Sequence, residues 1–307
     1  MNATAKPLIL PPPLRPGDTI GLVTPAGPVR DLEPFTFGKQ LLEEQGFLVK
    51  VPDDLFNQLD FLAGSDQERA LQFTEMWLDP GVQAVLAVRG GYGCLRLLPL
   101  LDLPKLAANP KILAGYSDLT VLLNEVTRLT GMVTFHAPVL NSLQRCNATS
   151  RDSFWRMLAG DGLEEIRPDR LQVIRAGRGR GPLIGGNLTS LAHLLGTPHA
   201  LDCRGRILFL EDTGEAPYRI DRLLTHLERA GCLRELGGLI LGTFTDGKGE
   251  EEAWSASVWN RVLELAGEGY PIWGDFPVGH GSRNLSLPLG VTAEMDSASG
   301  TLYFPAE

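Results

Sequence analysis

The chain has 307 residues, 43% hydrophobic and 21% charged, an ordinary globular composition long enough for one large core or two medium ones; two domains are expected. A formal net charge of −9 argues against a protein whose main business is gripping phosphate backbones or anionic membranes, so no nucleic acid and no membrane partner is expected. No run approaches about 18 apolar residues, no export signal is visible before Pro11, Pro12 and Pro13, and Cys94, Cys146, Cys203 and Cys232 are scattered without a C-x-x-C pair. Those features predict a cytoplasmic protein with reduced thiols and no metal site.

Asp18 to Val23 reads as an apolar strand, followed by the turn TPAGP and a helix near Leu32 to Gln45. Phe47 to Val51 is a second strand. Ser65 and Glu68 form a capping-box pattern before a helix whose Ala70, Phe73 and Trp77 share one face, and Asp79-Pro80-Gly81 stops it. Val82 to Val88 is apolar almost throughout, as parallel strands covered on both faces are. Lys111 to Ala114 has strand character and Asp118 to Leu129 has helical spacing, so Gly115, Tyr116 and Ser117 turn the chain sharply from one to the other. With a strand at Met132 to Phe135, the alternation predicts an open parallel α/β sheet with its functional loops at the strand C-terminal ends.

After Asn147 the character changes. A short helix at Phe154 to Leu158 precedes a polar, glycine-rich stretch through GRGRG to Pro182, read as an interdomain connection whose Arg175, Arg178 and Arg180 are solvated charges on a turn. The expected division is a first domain over 1–160, a linker over 161–181 and a second domain over 182–307. In the latter, Gly185-Gly186-Asn187 enters a helix to Leu195, Arg206 to Leu210 and Leu239 to Leu241 are strands, and Pro217 to Ala230 is an amphipathic helix with Ile220, Leu223, Leu224 and Leu227 on one stripe. A helix from Trp254 to Ala266, a Pro271 to Gly274 segment and the hairpin VTAEMDSASGTLYF complete the chain.

Four loops after strands hold residues suited to chemistry. A serine at a strand-to-helix turn clears the sheet edge and faces the unpaired N–H groups of the first helical turn, which suits a nucleophile, although Ser117 in isolation equally suits a helix N-cap. The loop Arg89-Gly-Gly-Tyr-Gly93 brings backbone N–H groups together as an anion nest, yet it lacks both the second half of a dinucleotide fingerprint and a Walker lysine. Cys94 beside it is a rival nucleophile or a packing residue. Glu211 ends an apolar strand, where a carboxylate needs a partner such as an imidazole or an ion pair. His280, between Gly279 and Gly281, has the freedom a general base needs, while His193, His199 and His226 read as packing or surface residues; His136, like His280, follows an apolar run.

Together, TPAGP, AVRGGYG, AGYSDLT, TFHAPV, LIGGNLTSLAHLLGTP, LFLEDTGEAPYRIDR and the late GHG closely resemble the L,D-carboxypeptidases, or muramoyltetrapeptide carboxypeptidases, of serine peptidase family S66, in the family's motif order from about Asp18 to Pro288. The resemblance implies Ser117 as nucleophile, Glu211 as the acidic member of the triad and His280 as base, with an oxyanion hole from the N–H of Asp118 and of Gly90 or Gly91. It also implies a flavodoxin-like, class I amidotransferase-like first domain and a smaller swivelling β/α second domain. The implied substrate is a murein tetrapeptide or muropeptide that loses its terminal D-alanine, without a cofactor, in a homodimer of a wall-recycling bacterium. An exopeptidase must hold a free carboxylate, for which Arg89, Asn187 or backbone N–H groups are the candidates, Asn187 being equally suited to capping a helix.

Three rivals stand beside this reading. Relatives that resemble microcin-immunity hydrolases cleave peptidyl or aminoacyl nucleotides through the same triad, but they need an aromatic surface for the base, and no tryptophan lies between Asn187 and Glu211; Trp254 and Trp259 fall in a predicted helix. A non-catalytic α/β module would use the glycine loop to grip a small anion. A glutamine amidotransferase would want a cysteine where Ser117 stands.

Overall fold

The structure is a computed structural model that describes residues 7–161, 164–246 and 255–305. It divides into two compact units, one running to Asp161 and taking in Ser286–Gly290, the other made of the remaining described residues.

The first unit is built from β1 (Thr19–Val23), α1 (Leu32–Glu44), β2 (Leu48–Lys50), α2 (Asp66–Leu78), β3 (Ala84–Ala87), α3 (Cys94–Leu97), α4 (Leu103–Ala107), β4 (Ile112–Gly115), α5 (Thr120–Thr130), β5 (Thr134–His136) and α6 (Ala148–Ala159). Its parallel strands lie in the order β2-β1-β3-β4-β5, and a late strand, Leu287–Leu289, pairs antiparallel with β5 at the edge. This is the flavodoxin-like order, in which the crevice between β1 and β3, where the direction of winding reverses, lies at the strands' C-terminal ends. TPAGP follows β1 and the glycine loop follows β3, so both border that crevice.

Local chemistry sets the helices as the sequence indicates. Ser65 and Glu68 close a reciprocal capping box at the start of α2, and Gly131 ends α5 in the left-handed conformation with its N–H on the Thr127 carbonyl. Phe73 and Trp77 are fully buried and stack on each other with centroids 5.7 Å apart. The helix expected at Phe154 to Leu158 is longer, because Asn147 caps it eleven residues before Leu158 and Gly160 closes it.

The second unit holds β6 (Glu165–Ile166), β7 (Gln172–Arg175), β8 (Arg178–Asn187), α7 (Leu188–Ala192), β9 (Ile207–Thr213), α8 (Pro217–Arg229), β10 (Gly238–Thr245), α9 (Ser255–Leu265) and β11 (Ile272–Gly274); the late strand of the first unit is β12, and β13 (Thr292–Asp296) and β14 (Thr301–Tyr303) follow. One eight-stranded sheet runs β6-β14-β13-β8-β9-β10-β11-β7, parallel from β8 to β11 and antiparallel on both flanks. Trp254, expected in the last helix, lies outside the described residues.

The stretch read as a linker carries β6, β7 and the start of β8. Its glycines are there for close approach rather than for turning: a Cβ at Gly179 would lie 2.1 Å from the Gly237 carbonyl oxygen, and one at Gly181 2.1 Å from that of Gly205. The alternating Arg178 and Arg180 are exposed and pair with Asp296 and Glu294 on the neighbouring β13. Gly185-Gly186-Asn187 closes β8 and leads straight into α7, which ends at Ala192 rather than Leu195.

Candidate active site

In the first unit β4 delivers Tyr116 in extended conformation, and Ser117 then takes φ 66°, in the left-handed region. A non-glycine residue held there costs on the order of 1–3 kcal/mol and persists where the surroundings over-determine it. A 3-10 turn over Ser117–Leu119 leads into α5, so the half-buried serine stands on a sharp strand-to-helix elbow. His136 ends β5, fully buried, with its ring edge-on to Tyr116 at 5.8 Å.

The glycine loop lies directly against this elbow. A Cβ on Gly90 would fall 2.6 Å from Ser117 Cβ and 2.7 Å from its Oγ, so only glycine lets the backbone pass so close to the hydroxyl. Gly91 sits at φ 131°, where a Cβ would meet the Gly27 nitrogen at 2.9 Å, and the Gly27 N–H donates to the Gly90 carbonyl at 3.2 Å. The TPAGP turn and the glycine loop are thus stacked. Arg89 donates from Nη1 to the Pro28 carbonyl at 2.9 Å and from Nε to that of Gly90 at 3.3 Å; burial first and the Arg30 charge second lower its pKa.

Asp118 turns its buried carboxylate onto the Cys94 N–H at 2.7 Å, which ties the start of α3 to the elbow. Burial raises its pKa, and burial together with the Asp118 charge pushes the Cys94 thiol well up, so this cysteine stays protonated and is unsuited to act as the nucleophile.

In the second unit Glu211 lies in β9 with no exposed surface, and its Oε2 is 2.7 Å from His280 Nδ1. An ionised carboxylate only accepts, so Nδ1 carries the proton and donates, leaving Nε2 as the basic nitrogen. The histidine loop is seated on the strands beneath it. Gly279 has φ 128°, and a Cβ there would lie 2.3 Å from Thr243 Oγ1 and 3.0 Å from Glu211 Oε2. Its N–H donates to the buried Asn284 Oδ1 at 3.1 Å, and the Thr243 N–H donates to the Val278 carbonyl at 3.0 Å.

Two family models match the chain, the LD-carboxypeptidase N-terminal domain over residues 20–137 and the LD-carboxypeptidase C-terminal domain over 180–295. The chain belongs to the LD-carboxypeptidase family. This LD-carboxypeptidase is a serine-type carboxypeptidase, and it is 36% identical over 304 residues to a probable murein peptide carboxypeptidase of Bacillus subtilis strain 168, covering 96% of this chain and 94% of that one. Among solved structures it resembles an MccF-like protein of Bacillus anthracis strain Ames, with TM-score 0.88 and 25% identity over 97% of this chain and 100% of that one. It also resembles the muramoyltetrapeptide carboxypeptidase of Oxalobacter formigenes, with TM-score 0.80 and 30% identity over 92% of this chain and 97% of that one. No described helix is long and apolar enough to cross a membrane.

Other groups in this LD-carboxypeptidase serve its framework. Asn187 caps α7: its Oδ1 accepts from the Ser190 N–H at 3.0 Å, while its Nδ2 donates to Asp212 at 3.1 Å. Both ends of the amide are therefore engaged within the protein. Two of the scattered cysteines meet, since a hydrogen bond between Cys203 and Cys232 raises the first thiol and lowers the second, and both remain free. Among the described residues no group of three or more His, Cys, Asp or Glu is arranged to hold a metal ion.

Asp212, beside Glu211, is 2% exposed and accepts from Thr189 N–H, Thr189 Oγ1 and Thr213 N–H. Burial, and next the Glu211 charge, still raise its pKa from 3.8 to about 6. The folded protein thus holds this proton more tightly than the unfolded chain, and the stability it contributes is full below about pH 4 and lost as the pH rises through about 6. Thermal melts of the wild type and Asp212→Asn between pH 4 and 8 should show the wild type losing ground to the variant across that window. A constant difference would contradict it.

Proposed function

We propose that this enzyme removes the terminal D-alanine of murein tetrapeptides by cutting an L,D bond, with Ser117 as nucleophile, His280 as general base and Glu211 as the group that orients and balances the imidazole. The observation that carries the reading is the left-handed Ser117 elbow with Gly90 pressed against its hydroxyl. A serine is a weak nucleophile until a base takes its proton, and the Glu211–His280 hydrogen bond keeps the productive tautomer ready. The N–H groups of Asp118 and of Gly90 or Gly91 receive the oxyanion. His280 then returns the proton to the departing amine of D-alanine, and water releases the acyl group from Ser117 by the same steps in reverse order.

For the terminal carboxylate this reading takes Arg89, a half-buried guanidinium at the glycine loop, over Asn187, whose amide caps a helix. The murein substrate is favoured by the names of the relatives from Bacillus subtilis and Oxalobacter formigenes. The same reading takes the enzyme to be a cytoplasmic homodimer.

The test is mass spectrometry of L-Ala-D-Glu-mDap-D-Ala after incubation with the protein. Loss of one D-alanine, unaffected by EDTA, is expected. No release from the tetrapeptide, combined with cleavage of a peptidyl adenylate, would move the substrate to the peptidyl or aminoacyl nucleotides of the rival reading.

A further inference from the structure

The side chain of Arg69 is 1% exposed, although it sits on the apolar face of α2, four residues before Phe73. A buried guanidinium is costly unless its donors are satisfied, and here they go to backbone carbonyls of three separate turns. Nη1 donates to the Pro25 carbonyl in TPAGP and, at 3.2 Å, to the Gly93 carbonyl at the end of the glycine loop; Nε donates to the Gly64 carbonyl at 3.3 Å. Nη2 pairs with Asp66, which also accepts from Arg96 Nε at 3.0 Å. The Ala63 N–H donates to the Ala26 carbonyl at 3.0 Å, so the turn that holds Gly64 is itself bound to TPAGP.

We infer that Arg69 is a positioning residue that clamps the TPAGP turn and the glycine loop together and thereby sets the aim of the Gly90 and Gly91 N–H groups at the oxyanion of Ser117. This rests on the proposed serine mechanism. Within the glycine loop Gly91 and Gly93 both sit at φ 131° and bring no side chain to pack, and its own holds are Arg89 Nε on the Gly90 carbonyl at 3.3 Å and Tyr92 against Phe61. Three further holds come from outside the loop, at Gly90 by the Gly27 N–H, at Cys94 by Asp118, and at Gly93 by Arg69, and of these only the last comes at the loop's C-terminal glycine. Arg69 bonds both stacked turns at once through Nη1, while Nε and Nη2 hold Gly64 and Asp66, a spread of donors over three nitrogens that a single ammonium does not reach. A Cβ on Gly93 would lie 2.7 Å from Arg69 Nη1, so the clamp and the glycine are fitted to each other. Oxyanion donors act only when held within about 0.5 Å of their working positions, and losing one costs on the order of 10² to 10³ in kcat.

The test compares wild type, Arg69→Lys and Asp66→Asn by tetrapeptide turnover and by the rate at which a fluorophosphonate labels Ser117. Arg69→Lys is expected to lower kcat and the labelling rate about 10- to 100-fold with KM within about threefold, and Asp66→Asn, which leaves the guanidinium in place, about fivefold. Phe154→Leu, in the buried face of α6, serves as a control matched in lost thermal stability and keeps kcat. Labelling of Arg69→Lys at the wild-type rate, or a loss of kcat no greater than in the matched control, would overturn the clamp. Should Arg69→Lys fail to fold, a wild-type labelling rate in Asp66→Asn would overturn it as well. A wild type that labels but releases no D-alanine rejects the substrate while leaving the labelling comparison decisive; a wild type that does not label rejects the mechanism and the clamp together.

Discussion

Ser117→Ala should leave the protein folded and abolish release of D-alanine, with kcat lower by roughly 10⁴ to 10⁶. The size of the loss follows from what remains. Alanine occupies the same left-handed φ of 66° at a strain similar to that of serine, so the elbow, the stacked glycine loop and the Asp118 bond to Cys94 persist. Only the oxygen that would form the acyl bond is gone. The variant should therefore melt within a few degrees of the wild type and bind the tetrapeptide as before, while mass spectrometry detects no product and a fluorophosphonate leaves it unlabelled. Residual turnover above about 1% of wild type would mean that another group attacks, and Cys94, held as a buried thiol, is a poor candidate for it.

Glu211→Gln should lower kcat by about 10⁴ with little change in KM. The carboxylate is fully buried and 2.7 Å from His280 Nδ1, where in the proposed mechanism its charge would balance the imidazolium formed as the serine proton is taken. An amide keeps the volume but not the charge, and it can present its NH₂ to Nδ1 and so favour the wrong tautomer. Stability should move the other way. The Glu211 charge is one of the causes that raise Asp212, so its removal lowers the Asp212 pKa and lessens the stability lost as the pH rises from about 4 to about 6. Steady-state kinetics beside melts at pH 4 and pH 8 read both effects, and a variant as active as the wild type would remove Glu211 from the mechanism.

The parts of the site legible in the sequence were those written in local signals. Ser117 stands between an apolar strand and a helically spaced run, and Gly279 and Gly281 bracket His280, patterns that need no knowledge of the rest of the chain. The parallel first sheet was legible because its buried strands are continuous apolar runs. What escaped depended on partners distant in sequence. In GRGRG the glycines answer to the carbonyls of Gly205 and Gly237 and the arginines to Asp296 and Glu294, so a sheet strand carried the composition of a turn. Arg69 left one trace, a charge on the stripe shared with Phe73, but its acceptors in three turns could be known only from the fold. Asn284 and Thr243, which seat the histidine loop, left none.

The late strand Leu287–Leu289 has a bearing on how the molecule comes into being. It completes the first sheet by pairing with β5, yet it is made after more than 280 residues of the chain, when nearly all of the second unit already exists. A nascent chain that has reached only Asp161 presents the open edge of β5, with its backbone groups unmatched, for the whole time the second unit is being translated. No single cut can then divide the gene into two self-sufficient halves. A fragment ending near residue 161 should be prone to pair edge to edge, and a peptide covering Ser286–Gly290 is the natural cap for it.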